Sequence, residues 1–332
     1  MTDGRRPEDA DHSAADKTRA PRDVALMVAR GIGQTLITVG LVVLLFVVYE
    51  VYITDLFGHQ KQQSATAALD ERWKDSGSGR TAGQTVAGPT SASASARAAA
   101  TTGEGGSTSS KSGPAGTRVV VVDDPAKMVT DPSTRKRNYE AIDGQGFAKI
   151  FIPTFGADYA FTIIQGTTTD DLYAGPGHYQ NTQFPGEPGN FSVAGHRVSK
   201  GSPFNELGLL SSCDAMVVET QSDWFVYRVM PMENEIANWA STKRAHCAGV
   251  SPQSGQYART FGREITDPSD YAQVLPVPHV QSQAVPTDAE RLMTLTTCHP
   301  QFSDAQRMII HGVLVKSYKR ATGFVPPELN ES

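Results

Sequence analysis

Apolar residues fall into two blocks along this chain, separated by a long polar gap. In the first block, residues 31–49 carry no charged side chain and are apolar on every face. That is the pattern of a helix surrounded by lipid, since a core helix of a globular domain keeps one polar face. At ~1.5 Å per residue such a run just crosses a hydrocarbon core of ~30 Å. In the second block, about residues 147–318, apolar and β-branched residues come in short runs: 148–152, 160–164, 191–196, 215–220, 224–229, 291–297 and 308–315. These runs predict strands, and residues 221–223 have the length of a hairpin turn between two of them. Asp170-Asp171-Leu172-Tyr173 predicts one short helix, stopped at Gly175-Pro176-Gly177. Seven or eight short strands with few helical patterns predict a mainly β domain, a barrel or a sandwich. Residues 118–122 are also β-branched but stand alone before a polar stretch, and are not assigned.

The gap gives the chain its organisation. Residues 75–117 are Ser, Gly, Ala and Thr with almost no large apolar side chain, so they cannot offset their ordering entropy and predict a flexible tether. Just before it, Leu69 and Trp73 share a helical face, which suggests a brief helix beyond the anchor. The expected layout is a polar tail (1–30), a transmembrane anchor (31–53), a disordered linker or stalk (54–140), a catalytic domain (141–320) and a C-terminal tail (321–332). Lys17, Arg19, Arg22 and Arg30 precede the anchor, whereas Glu50 and Asp55 follow it. The excess of positive charge places the N-terminus in the cytoplasm and the β domain outside a single-pass membrane anchor. A cleaved signal peptide would have a shorter apolar core with small residues close behind it.

Charge and cysteine usage narrow the chemistry. A net charge of −5 without a basic stripe argues against a nucleic-acid partner. Three cysteines outside a membrane leave one unpaired, and the simplest pairing is a Cys213–Cys247 disulfide with Cys298 free. No spacing resembles a zinc site, and neither metal nor cofactor is expected. Cys298 ends the run Thr294-Leu295-Thr296-Thr297-Cys298, and Arg307 opens the next apolar run nine residues later. A thiol can attack a peptide carbonyl, and a guanidinium can stabilise the resulting oxyanion. The thiol also needs a proton acceptor. His299 adjoins it but points to the opposite face of a strand, so His196, after Val193-Ala194-Gly195, and His311, on the strand face of Arg307, are the candidates.

Three stretches resemble one family. Thr294-Leu295-Thr296-Thr297-Cys298, Ala194-Gly195-His196-Arg197 and Arg307 resemble, in the same order, the cysteine, histidine and arginine motifs of sortases, the membrane-anchored transpeptidases of Gram-positive bacteria. The flanking His178-Tyr179, Pro185-Gly186-Glu187-Pro188-Gly189-Asn190-Phe191 and Cys298-His299-Pro300 are most similar to class E sortases of actinobacteria. The resemblance covers about residues 146–318. It implies an eight-stranded β-barrel with few short helices, and Cys298, His196 and Arg307 as the catalytic residues. It also implies cleavage of a Leu-Pro/Ala-x-Thr-Gly signal between Thr and Gly, and transfer of the acyl group to a peptidoglycan-precursor amine of lipid II type. Under it Thr297 could add a hydroxyl near the oxyanion, Tyr179 could line the substrate groove, and His311 becomes a strand residue.

One departure is visible. Residues 234–236 and 264–268 look like two ends of a family connection split by an insertion at about 237–263, which contains Cys247. It could shape substrate access or form a surface elaboration stapled to Cys213. Two other readings of the chain were weighed. A papain-like cysteine protease would want its thiol on a helix, with the histidine later in the chain. A non-catalytic wall-tethered binding module would leave Cys298 a buried structural thiol.

Overall fold

The computed structural model describes residues 20–49, 54–75, 124–241 and 246–331. The tether at 75–117 (beyond Asp75) and the β-branched residues 118–122 lie outside the described residues. The chain divides into two compact units, residues 1–53 and 54–332.

In the first unit, α1 (Ala20–Val48) contains a strongly apolar stretch, Ala25–Val48, with a mean hydropathy of 2.3 and Arg30 as its one charged residue. Its length of about 36 Å suffices to cross a membrane, and its apolar side chains are exposed on all sides.

The second unit is built on ten strands: β1 (Val129–Thr130), β2 (Gly146–Phe151), β3 (Ala160–Gln165), β4 (Gly177–His178), β5 (Gly189–Ala194), β6 (Ala215–Glu219), β7 (Asp223–Val229), β8 (Arg263–Thr266), β9 (Arg291–His299) and β10 (Gln306–Lys319). Eight close a ring in the order β10-β7-β6-β2-β3-β4-β5-β9, with β9 pairing back onto β10. β1 and β8 attach outside the ring, both to β10. Neighbours are antiparallel except at β3–β4 and β5–β9. The mainly β, eight-stranded barrel expected above is therefore the fold. The alternation along its strands follows the pleat: Phe191 and Val193, Met216 and Val218, Phe225 and Tyr227, Met293 and Leu295, and Met308 and Ile310 all point into one buried core. The predicted helix is α3 (Thr169–Ala174), opened by a capping box between Thr168 and Asp171.

Outward faces are covered by peripheral segments. Ala215, Val217, Trp224, Val226 and Tyr318 lie under the C-terminal residues 321–330, where Phe324 is buried. Cys213, Met230, Leu292 and Val313 lie under Val250 and Tyr257 of the inserted segment, which the Cys213–Cys247 disulfide ties to the barrel. The last covering piece is α2 (Thr54–Asp75), a full helix that buries Leu69 and Trp73. It also makes polar contacts with β2 and β3: Gln62 Nε2 donates to Thr162 O at 3.0 Å, Arg72 donates to Gly146 O, and Lys149 pairs with Asp70 at 2.6 Å.

Candidate active site

Two strand pairings assemble the site. In the parallel pair β5–β9, Ala194 lies opposite Thr296, and Gly195 N–H donates to Thr296 O at 3.0 Å. Two residues further along each chain come His196 and Cys298. In the antiparallel pair β9–β10, Cys298 lies directly opposite Arg307. Directly opposed residues share a face, with Cβ atoms about 5 Å apart. Met293 and Leu295 point into the barrel, so Thr294, Thr296 and Cys298 point outward, as do Arg307 and His311. The free thiol is thus flanked by the histidine-bearing strand end on one side and by the arginine strand on the other. It sits at a strand end, as the sortase resemblance implies and unlike the helix-borne thiol of a papain-like enzyme.

Each side chain is held by local contacts. Cys298 is free and partly exposed. His196 is half-buried, and its Nε2 is enclosed without a hydrogen-bond partner among the described residues. Burial, and secondarily the charge of Lys200, hold its imidazole below the ordinary histidine range, so the neutral ring is favoured at pH 7. Arg307 Nη1 donates to Asp304 O at 2.9 Å and to Gln306 O at 3.0 Å, which anchors the guanidinium to its own turn.

The remaining candidates divide. Tyr179 is near the centre: its hydroxyl is 2.9 Å from Thr296 Oγ1, and the charges of Arg307 and Cys298 both act on it. Burial raises its pKa, so the phenol stays protonated. Thr297 points the other way. Its buried Oγ1 donates to Gly195 O at 2.8 Å, tying the residue before the thiol to the residue before the histidine. His311 is fully buried between Thr294 Oγ1 (2.9 Å) and the Gln273 amide (3.0 Å), and desolvation pushes its pKa down to about 3. His299 accepts from Arg197 Nη1 at 2.7 Å through Nδ1. Arg197 Nη1 also lies 3.3 Å from Cys298 O. Arg197 is therefore a bridge between the histidine and cysteine segments that residue-type reasoning alone does not pick out. Its only sequence signal is its place beside His196.

Cys213 and Cys247 are joined, with Cα atoms 5.0 Å apart. The insertion they staple covers Leu292 and Val313. Leu292 is six residues from Cys298 along β9, about 20 Å at strand rise. The segment therefore packs six residues along both strands from Cys298 and Arg307.

A closed eight-stranded barrel with a free thiol on its outer face, between an arginine on one adjacent strand and a histidine just beyond the end of the other, defines a barrel-borne cysteine site. The model of the Sortase domain matches residues 150–315, which include all three of those residues. The chain belongs to the sortase family. It is similar to two class E sortases of Streptomyces coelicolor. Sortase SrtE1 is 26% identical over 319 residues, covering 93% of this chain and 64% of that protein. Sortase SrtE2 is 23% identical over 310 residues, covering 93% of this chain and 91% of that protein. The chain thus spans less than two thirds of the length of SrtE1. Among solved structures, the SrtF sortase from Corynebacterium diphtheriae is 43% identical with a TM-score of 0.54, covering 61% of this chain and 99% of that one.

Proposed function

We propose that this chain is a membrane-anchored cysteine transpeptidase that cleaves a Leu-Pro/Ala-x-Thr-Gly sorting signal between Thr and Gly. The observation that carries the proposal is the position of Cys298, opposite Arg307 on β10 and level with His196 beyond β5. His196 takes the proton of the Cys298 thiol, the thiolate attacks the threonine carbonyl carbon, and the guanidinium of Arg307 faces the oxygen on which charge develops. As the C–N bond breaks, His196 delivers a proton to the departing glycine amine, leaving a thioester on Cys298. An incoming amine then attacks the thioester, His196 takes up its proton and passes it to the departing sulfur, and the thiol and the neutral imidazole are restored. The acceptor is a peptidoglycan-precursor amine of lipid II type. Family membership supports this chemistry, and the neutral, enclosed imidazole suits a group that both gives and takes a proton.

The apolar stretch Ala25–Val48 is the anchor. Basic residues before it and acidic ones after it support a cytoplasmic N-terminus and a catalytic domain outside the cell. The clients are surface proteins bearing the sorting signal.

The test is turnover of paired Leu-Pro-x-Thr-Gly and Leu-Ala-x-Thr-Gly peptides by the full chain, with and without an added amine, read by mass spectrometry. Cleavage and amine-dependent transfer are expected for the wild type and neither for Cys298→Ala. Undiminished cleavage by that variant would overturn the assignment.

A further inference from the structure

The turn that follows His196 is unusual. Ser199, Lys200, Gly201 and Ser202 have φ values of 59°, 54°, 79° and 41°, so four successive residues occupy the left-handed region and three of them are not glycine. Such a conformation persists only where surrounding contacts over-determine it. On one side the turn is closed by its own chain. Ser202 N–H donates to Ser199 O at 2.9 Å, and Phe204 N–H returns to His196 O at 3.0 Å. On the other side it meets the first turns of α2. Asp55 Oδ1 accepts the Gly201 N–H at 3.0 Å. The α2 backbone then rests on the turn at Gly58, where a Cβ would lie 2.5 Å from the Lys200 carbonyl carbon and 2.6 Å from Gly201 N. Glycine is what lets the two backbones approach this closely.

The other end of α2 is fastened separately, through Leu69, Trp73 and the Asp70–Lys149 pair. The two ends are therefore separable by substitution. We propose that the first turns of α2, through Asp55 and Gly58, are a positioning element for His196, clamping the 199–202 turn so that the imidazole is held at the Cys298 thiol. This rests on the role given to His196 under Proposed function. The charge of Lys200, which sits on the clamped turn, already acts on His196.

The experiment compares Asp55→Ala, Asp55→Asn, Gly58→Ala and Asp70→Ala in the full chain in detergent micelles, reading kcat and KM for a sorting peptide and the thermal midpoint. Misplacing a reacting group by an ångström costs up to about 100-fold. Asp55→Ala is expected to lower kcat about 10-fold with KM unchanged, and Gly58→Ala to do at least as much. Asp55→Asn, which keeps the Oδ1 acceptor, should restore wild-type kcat. Asp70→Ala should lower the midpoint and spare kcat. Equal kcat for Asp55→Ala and wild type, or the same loss in Asp55→Asn as in Asp55→Ala, would overturn the proposal. A wild-type chain without turnover would overturn the transpeptidase reading instead. The positioning would then be read from the His196 imidazole resonance, expected to move in Asp55→Ala and return in Asp55→Asn. An unmoved resonance would overturn it.

Discussion

Arg307 and Cys298 are direct partners across the antiparallel β9–β10 pair, on the outward face of the barrel. Both positions are therefore fixed by one strand register. Arg307→Lys is expected to lower kcat/KM for a sorting peptide about 100-fold, the scale of losing one oxyanion donor, because an ammonium lacks the planar fork of donors. The thermal midpoint should hardly change. Steady-state kinetics with a melting curve on the same preparation checks both.

The hydrogen bond from Thr297 Oγ1 to Gly195 O joins the cysteine and histidine segments inside the fold. Thr297→Val keeps the shape and removes the donor, which costs about 1–3 kcal/mol at a buried site. The expected result is a lower thermal midpoint together with a reduced kcat, and Thr297→Ser should recover both. Loss of kcat without loss of stability would instead point to a hydroxyl acting on the substrate.

Removing the disulfide should separate stability from chemistry. The bridge closes a sequence separation of 34 residues, and a crosslink of that span contributes about 2–4 kcal/mol. The Cys213→Ser/Cys247→Ser double variant should melt earlier and keep near-native kcat at low temperature, because the buried contacts of the stapled segment with β9 and β10, at Leu292 and Val313, lie six residues from Cys298 and Arg307. Alkylation of the denatured wild type should label one cysteine without reductant and all three with it.

Acid sensitivity follows from two buried histidines. His178 packs among Phe147, Phe184 and Phe191, and burial lowers its pKa to about 4; His311 is lowered to about 3 for the same reason. Between the unfolded value near 6.5 and those folded values, the unfolded chain binds protons that the native state does not. Their contribution is thus fully present above about pH 6.5 and is lost as the pH falls towards 4 and 3. The slope is up to about 1.4 kcal/mol per pH unit for each histidine. Urea midpoints at pH 7.5, 5.5 and 4.5 should decline accordingly, and His178→Gln should flatten the decline.

The strands were legible because inward and outward positions alternate along them, as Phe191-Ser192-Val193 and Met293-Thr294-Leu295 show. β4 was not, since two residues carry no period, and its pairing is set by β3 and β5 on either side. β8 lies at the end of the insertion, and its burial shows no apolar alternation. The helix begun at Leu69 and Trp73 runs back to Thr54, and its hold on the barrel is largely polar, through Gln62, Asp70 and Arg72. No hydrophobic stripe announces such a surface. Within the site, motif order singled out Cys298 and Arg307, which face each other across β9 and β10, and His196, which lies just beyond the end of β5. What each neighbouring polar group binds came only from the fold: Thr297 to Gly195, and Arg197 to His299.

β10 pairs with β1, β7, β8 and β9, and the ring closes only through it. It is also the last strand in chain order. A chain emerging from its N-terminus therefore carries β7 and β9 as open edges until residues 306–319 arrive, a period in which those edges can pair with other chains. The same strand brings Arg307 opposite Cys298, so the pairing of these two residues forms only when the ring closes.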